Sequence, residues 1–104
     1  MLVEVPLHLH LLPGRPDGAV IREILSAAYA GSRVVRVAND NPALLTIESA
    51  AGTDRLDLYV FANEKVGQAR LVATLDNLGK GAGGAAVQNL NIALGFDEIE
   101  GLRL

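Results

Sequence analysis

Two alternating segments joined by a short link constrain the fold of this 104-residue chain more than any other feature. Residues 54–62 (DRLDLYVFA) and 68–76 (QARLVATLD) both alternate between two kinds of side chain with a period of two. That period is typical of a strand with one buried face. Because the link 63–67 (NEKVG) has the length of a hairpin loop and ends in glycine, the two strands must pair antiparallel.

A strand and a helix are predicted ahead of this hairpin. Residues 2–11 (LVEVPLHLHL) also alternate, and Pro6 either breaks this strand or places it at a sheet edge, because proline cannot donate a ladder hydrogen bond. Asp17 follows a dense turn signal and is the expected N-cap of a helix with an apolar stripe over 20–28. Gly31 stands where a left-handed residue would close that helix.

The remaining elements complete an α+β pattern. Residues 33–37 (RVVRV) predict a short strand, and 43–52 fit a helix or a strand equally well. A glycine-rich turn leads into a last helix from about Ala82 to Leu94, which Gly95 closes. The order β-α-β-β-β-α predicts one domain over residues 1–104, with a mixed or antiparallel sheet and its helices packed on one face.

Composition excludes several classes of function. The net charge is −3 and no run of like charge occurs, so we expect neither a nucleic-acid partner nor binding to a membrane surface. No apolar run is long enough to span a bilayer, and we expect a soluble, cytoplasmic protein. Because the chain has no cysteine, it has no disulfide, no thiolate metal site and no cysteine nucleophile.

The segment 76–89 (DNLGKGAGGAAVQN) is the most informative candidate for a functional site. A strand feeds four glycines that open a helix, so backbone N–H groups beside Lys80 could hold a phosphate, a carboxylate or an amide oxygen. The spacing is neither that of a phosphate-binding loop ending in GKS or GKT nor that of a dinucleotide fingerprint. The simpler explanation is that the glycines allow a tight turn and close packing of the helix.

Other polar residues give weaker signals. His8 and His10 lie on one face of a strand and could begin a metal site, but the sequence offers no third ligand, so we expect no metal. Arg15 and Arg70 could bind anions, although a single arginine is more often a surface charge. No sequence motif marks a catalytic nucleophile.

The segment 76–95, DNLGKGAGGAAVQNLNIALG, resembles the C-terminal signature of N-acetyl-γ-glutamyl-phosphate reductase, an NADPH-dependent enzyme of arginine biosynthesis. Segments 5–16 (VPLHLHLLPGRP), 27–31 (AAYAG) and 55–81 resemble the shorter branch of the same family. The resemblance covers nearly all of the chain. It implies the C-terminal part of an enzyme that is similar to glyceraldehyde-3-phosphate dehydrogenase, with a Rossmann domain followed by a catalytic and dimerisation domain.

The resemblance also implies catalytic and cofactor-binding parts that this chain does not contain. The family uses a cysteine thiolate, a histidine acid/base and NADPH, and this chain has no cysteine and no Rossmann fingerprint. The family's catalytic histidine lies upstream of the matched region, so no catalytic residue is expected here. We expect the intact enzyme to bind NADP, the chain alone not to bind it, the missing Rossmann half to be its partner, and the protein to be a homo-oligomer.

Position by position, the resemblance implies two groups of site residues. It places one group beside the nicotinamide end of the cofactor, and His8 and Arg15 on the substrate side. A polar residue that related dehydrogenases carry in the helix is replaced by Ala85, which cannot supply that hydrogen bond. The cofactor group consists of Asn77, Gly79, Lys80, Gly81 and Ala82, with Gln88 and Asn89 bracing the wall of the active site.

Two other functions remain open at this point. The chain could be an independent module that dimerises or binds a partner and performs no chemistry. It could also derive from the sister reductase of lysine biosynthesis, which acts on a carrier-bound aminoadipyl phosphate. In every case we expect the chain alone to lack reductase activity, because no residue can form the thioester.

Overall fold

The computed structural model describes residues 1–104 and has the predicted α+β order. Short helical turns lie between the main elements: 3₁₀ turns at Leu9–Leu11 and Glu64–Val66, and a π-helix at Gly79–Gly83. The main elements are β1 (Leu2–His8), α1 (Gly18–Ala28), β2 (Val35–Val37), β3 (Leu56–Asn63), β4 (Gln68–Leu75) and α2 (Gly84–Leu94).

The four strands form one mixed sheet in the order β1-β4-β3-β2. The predicted hairpin is confirmed: β3 and β4 pair antiparallel, with Val60 opposite Leu71, and Gly67 takes a left-handed conformation at the end of the loop. β1 pairs antiparallel with β4 and forms an edge, as Pro6 required, whereas β2 pairs parallel with β3 at the other edge.

Helix α1 covers one face of the sheet over β3 and β2. Its N-cap is Asp17, as predicted, whose carboxylate accepts a hydrogen bond from the N–H of Val20 at 2.8 Å. Ile21 packs with Val60 and with Leu9 of the first 3₁₀ turn in a small buried core. Gly31 has the predicted left-handed conformation beyond the end of the helix.

The opposite face of the sheet holds a buried ion-pair cluster near the start of β3. Asp57 is almost fully buried and accepts hydrogen bonds from the guanidinium groups of Arg36 (3.0 Å) and Arg55 (3.1 Å). Thr74, the cross-strand partner of Asp57, is also buried. The two arginines compensate a carboxylate that would be costly to bury alone.

Helix α2 does not pack on the sheet beside α1, which corrects one detail of the predicted architecture. It contacts mainly the π-helix that precedes it. It begins at Gly84 instead of Ala82, because residues 79–83 form that π-helix, and Gly95 closes it in the left-handed conformation as predicted. The ambiguous segment 43–52 forms turns and is neither helix nor strand.

The chain exposes more surface than a compact protein of its mass. Its accessible surface is 6628 Å², whereas about 5,600 Å² is typical of a folded monomer of this size. The molecule is also elongated, with extents of 46 × 27 × 20 Å. The surplus of about 1,000 Å² is similar to the area that one partner contributes to a standard interface.

Candidate functional site

The glycine-rich turn after β4 is held in place by one carboxylate. One oxygen of Asp76 accepts hydrogen bonds from the N–H groups of Leu78 (2.7 Å) and Gly79 (3.0 Å), and the other accepts from Gly52 (2.7 Å). These backbone donors, Gly52 first, lower the pKa of Asp76 to about 2. Because the carboxylate already accepts both turn amides, Leu78 and Gly79 do not offer free N–H groups to a phosphate.

Two glycines of the turn let it approach a second segment closely. The Cα of Gly79 lies against the carbonyl group of Thr53, and that of Gly84 lies against the side chain of Asp54, so neither position has room for a Cβ. Asp54 is itself fixed, because its carboxylate accepts a hydrogen bond from the N–H of Arg103 at 2.9 Å. The close-packing interpretation of these glycines is confirmed.

A groove of about 430 Å³ runs between the turn, residues 52–54 and the C-terminal segment. Glycines contribute five of its twelve lining residues, so backbone forms much of its surface. The carboxylates of Asp54 and Asp76 and the side chain of Arg103 give it charge. The apolar contacts come from Leu78, Val87 and Leu102.

The predicted cofactor residues lie around this turn and the first turns of α2. Gly79 lines the groove. Lys80 donates a hydrogen bond to the Gln88 side-chain oxygen at 2.5 Å, and the Gln88 amide donates to Glu98 at 2.6 Å. The others are exposed: Asn77, Gly81, Ala82 and Asn89.

Helix α2 turns its polar edge inward. Asn91 is buried, and its amide donates to the carbonyl oxygens of Glu98 (3.2 Å) and Glu100 (2.8 Å). Leu90 and Leu94 are exposed by more than half. These two leucines of α2 therefore have no burying partner within the chain.

Sequence reasoning missed the residues that organise the turn. The sequence pattern placed Asp54 and Asp76 only at the ends of two alternating segments, and it gave no role to Asn91. For Asp76 a signal existed, because an aspartate directly before a turn commonly accepts backbone hydrogen bonds two and three residues on. Asp54 contacts the turn only through the tertiary fold, and no local pattern indicates it.

His8 and Arg15 lie away from this groove. His8 ends β1 opposite Gln68, at the start of β4, and the turn follows the other end of that strand. Seven residues of strand put the two sites ~23 Å apart. Arg15 lies beyond β1 in an exposed loop and has a left-handed φ of 45°. The structure therefore does not bring the predicted substrate-side residues to the cofactor residues.

A second cavity of about 330 Å³ lies on the sheet face beside His8 and includes Phe61 and Arg70. The rings of His8 and His10 lie 5.7 Å apart, and no group of three potential metal ligands occurs in the structure. Neither helix has the length and apolar character needed to cross a membrane.

The chemistry of the groove decides which part of a dinucleotide it could hold. Two carboxylates line it beside one arginine, so a pyrophosphate would meet like charge. A nicotinamide ring is neutral when reduced and cationic when oxidised, so the two carboxylates would not repel it. The volume falls within the range of small-ligand pockets. The residues present fit the nicotinamide end of NADP and not its phosphates.

Curated proteins that match nearly all of this chain carry one enzyme name. The N-acetyl-gamma-glutamyl-phosphate reductase of Trichormus variabilis is 47% identical over 109 residues, which cover 98% of this chain and 34% of that protein. The enzymes of the same name from Brucella anthropi and Brucella ovis are each 48% identical over 99 residues, covering 91% of this chain and 32% of theirs. This chain is a homologue of part of N-acetyl-gamma-glutamyl-phosphate reductase.

The similarity confirms the resemblance that the 76–95 segment indicated, and the chain spans about a third of the length of the curated reductases it matches. No family model matches the chain. About two thirds of the reductase fold therefore has no counterpart in these 104 residues.

Proposed function

We propose that this chain is the C-terminal part of an NADPH-dependent N-acetyl-γ-glutamyl-phosphate reductase and supplies the wall against which the nicotinamide of the cofactor lies. The observation that carries the proposal is the glycine-rich turn, because it has a groove of suitable chemistry and belongs to a chain 47% identical to such a reductase. The reaction would reduce N-acetyl-glutamyl 5-phosphate to the 5-semialdehyde, in arginine biosynthesis.

Each part of the turn has a distinct task in this proposal. Gly79 lines the groove and packs against Thr53 on the side where a Cβ would stand, so it contributes only backbone to the proposed wall. Asp76 fixes the turn through three backbone hydrogen bonds, so the wall is rigid before any ligand arrives. Asn77, Gly81 and Ala82 are exposed around the same turn and remain proposed cofactor contacts.

Lys80 is the proposed cation of the site. Its only hydrogen-bond partner is the neutral amide of Gln88, so its charge is not cancelled by a directly bonded carboxylate. The second bond, from Gln88 to Glu98, holds the amide in the orientation that accepts from Lys80. Lys80 has two further N–H groups that could contact an anionic group of the substrate or cofactor, and Asn89 lies one residue beyond Gln88 on the exposed side.

The bond-breaking step must use residues outside this chain. NADPH would supply the hydride, and the thioester that the acyl phosphate would form in this family requires a cysteine, which this chain does not contain. We therefore propose that the chain alone is inactive and that the rest of the reductase, including the Rossmann half, is its partner. A role for His8 and Arg15 remains a proposal that requires the substrate to extend across the sheet.

Homo-oligomerisation and a cytoplasmic location complete the proposal, as properties of a biosynthetic reductase. The relatives carry the name of the arginine-pathway enzyme, so the lysine-pathway alternative is not favoured. No contact in the structure favours a non-catalytic module over a part of the reductase.

The test is a complementation assay. The chain is co-expressed with the two thirds of the Trichormus variabilis reductase that it does not match, and NADPH oxidation is measured with N-acetyl-γ-glutamyl phosphate. We expect Lys80→Ala to lower kcat/KM by at least 10-fold. Lys65→Ala, in the exposed hairpin loop, is the matched control and should change it less than twofold. Equal activity of both variants would exclude Lys80 from the site.

A further inference from the structure

The sheet face that carries α1 is only half covered. Residues of β3, β4 and β1 with the same orientation as Val60 form this face. Helix α1 packs mainly over β3 and β2, and its Ile21 shares a core with Ala69 near the start of β4. Four strands are about 19 Å wide, whereas a helix is about 10 Å across. One helix therefore cannot cover the whole sheet, and the half formed by β1 and β4 stays open between its two ends, around Val3 and Val5.

The open half is apolar. Val3 and Val5 of β1 point to this face and are 44% and 49% exposed, although Leu7, on the same face at the other end of the strand, packs against the core. Their cross-strand partners on β4, Ala73 and Leu71, are only partly buried. A row of apolar side chains on a covered strand would be buried. No part of this chain therefore covers these four side chains.

Helix α1 supplies an apolar wall beside that floor. Arg22 lies on the side of α1 toward β2, because its guanidinium donates to the carbonyl oxygen of Val60 on the edge of β3 that faces β2. At 100° per residue, Val20 and Ile24 lie on the opposite side of the helix, toward β4 and β1. Both are exposed, Ile24 by 60%.

The ends of the open half are closed. The 3₁₀ turn at Leu9–Leu11 and Leu12 pack near Leu7 at one end. At the other end Leu75 is buried, and its side chain lies beside Gly81 of the π-helix. The open length between them is about four strand residues, or about 13 Å, which accommodates two to three turns of helix.

We infer that this space, which we call the helix slot (floor Val3, Val5, Leu71 and Ala73; wall Val20 and Ile24), receives one amphipathic helix from the rest of the reductase. The inference rests on the proposed function, because the relatives contain about twice this chain's length outside the match. The apolar floor and wall select a helix with an apolar stripe, and the surplus of exposed surface provides the area that such docking would bury.

Substitutions in the slot test this inference by binding. The partner is the unmatched two thirds of the Trichormus variabilis reductase, and the dissociation constant is measured by calorimetry. We expect Val5→Lys and Ile24→Lys to weaken binding at least 10-fold. Val66→Lys, which changes an equally exposed residue of the hairpin loop, should change binding less than twofold. Unchanged binding in both slot variants, or no binding by the unsubstituted chain, would overturn the inference.

A cross-link identifies the occupant. Because the chain has no cysteine, Val5→Cys provides one site for a photoreactive label. We expect labelled positions on the partner to recur every three to four residues, as on a helix face. Labelled positions with a period of two, or cross-links between two copies of this chain, would overturn the proposal. If Val5→Lys does not fold by circular dichroism, Ile24→Lys on the exposed side of α1 still tests the slot.

NADPH oxidation by the same complex separates this inference from the proposed function. A complex that forms through the slot but oxidises no NADPH supports the slot and contradicts the function. A complex that oxidises NADPH and is insensitive to both slot variants supports the function and contradicts the slot.

Discussion

The Asp54 side chain packs directly against the Cα of Gly84, with no space for a Cβ between them. The same carboxylate accepts a hydrogen bond from the backbone N–H of Arg103. Asp54, just before β3, therefore joins the start of α2 to the C-terminal segment. Gly84 belongs to a glycine-rich segment that could be taken for a ligand-binding loop, but packing against Asp54 is what requires a glycine there.

Replacing this glycine should destabilise the chain. In Gly84→Ala the new methyl group would displace Asp54, at a cost of about 1–3 kcal/mol. Alanine would recover at most about 1 kcal/mol of helix propensity. The matched control is Gly83→Ala, whose Cβ would meet only the Leu78 carbonyl oxygen at 3.3 Å. Urea unfolding should show Gly84→Ala to be clearly the less stable variant, and equal stability would contradict the packing argument.

Asp76 should make the stability of the turn depend on pH. Its pKa in the folded chain is about 2, below its ordinary value of 3.8. The charged form therefore stabilises the fold above about pH 4, and this contribution is lost as the pH falls from about 4 to about 2. Asp76→Asn should lower the thermal midpoint at pH 6 and flatten its fall in acid.

The control for this prediction is Asp40→Asn, which removes a carboxylate from the exposed loop after β2. The pKa of Asp97 is also lowered, by the backbone N–H of Ile99 and by Arg33. Both variants keep Asp97, so the difference between their melting curves over pH isolates Asp76. Parallel curves would show that Asp76 does not stabilise the fold.

Asn91 should anchor the C-terminal turn to α2. Asn91→Ala removes the amide that donates to the carbonyl oxygens of Glu98 and Glu100. The free energy of unfolding should fall by about 1–3 kcal/mol. Hydrogen exchange at Glu100 and Leu102 should accelerate. Asn89→Ala changes an exposed amide two residues away and should alter stability by less than about 0.5 kcal/mol. Similar exchange rates in both variants would contradict the anchoring role.

The outer face of α2 should affect association and not folding. Leu90 is 57% exposed, so Leu90→Gln should leave the free energy of unfolding within about 0.5 kcal/mol and reduce self-association in light scattering. Ile21→Ala removes a core side chain and should cost about 2–5 kcal/mol. A large loss of stability in Leu90→Gln would mean that this face is already packed within the chain.

Local patterns predicted the parts of the fold that are determined locally. The hairpin follows from two alternating segments and a five-residue link, the helix start from Asp17, and the helix end from Gly95. Each depends on residues within a few positions of one another, so one sequence suffices. Pro6 predicted either a break in β1 or an edge position, and the structure has the edge position.

Tertiary contacts decided the parts that the sequence did not predict. The sequence predicts that α2 packs on the sheet, yet α2 meets the rest of the chain through Gly84 at its start and through the side chains of Gln88 and Asn91. Gly79 of the π-helix ahead of it is in close contact with Thr53, which is distant in sequence. For the site, the sequence indicated the glycine-rich turn. It did not indicate Asp54, which contacts the turn only in the folded chain.

The most direct test of the whole account is NADPH oxidation with N-acetyl-γ-glutamyl phosphate, measured first with the purified chain and then with the chain bound to the unmatched two thirds of the Trichormus variabilis reductase. We predict no oxidation above background by the chain alone and clear turnover by the complex. Turnover by the chain alone, or a stable complex without turnover, would contradict the claim that these residues are an incomplete part of the reductase.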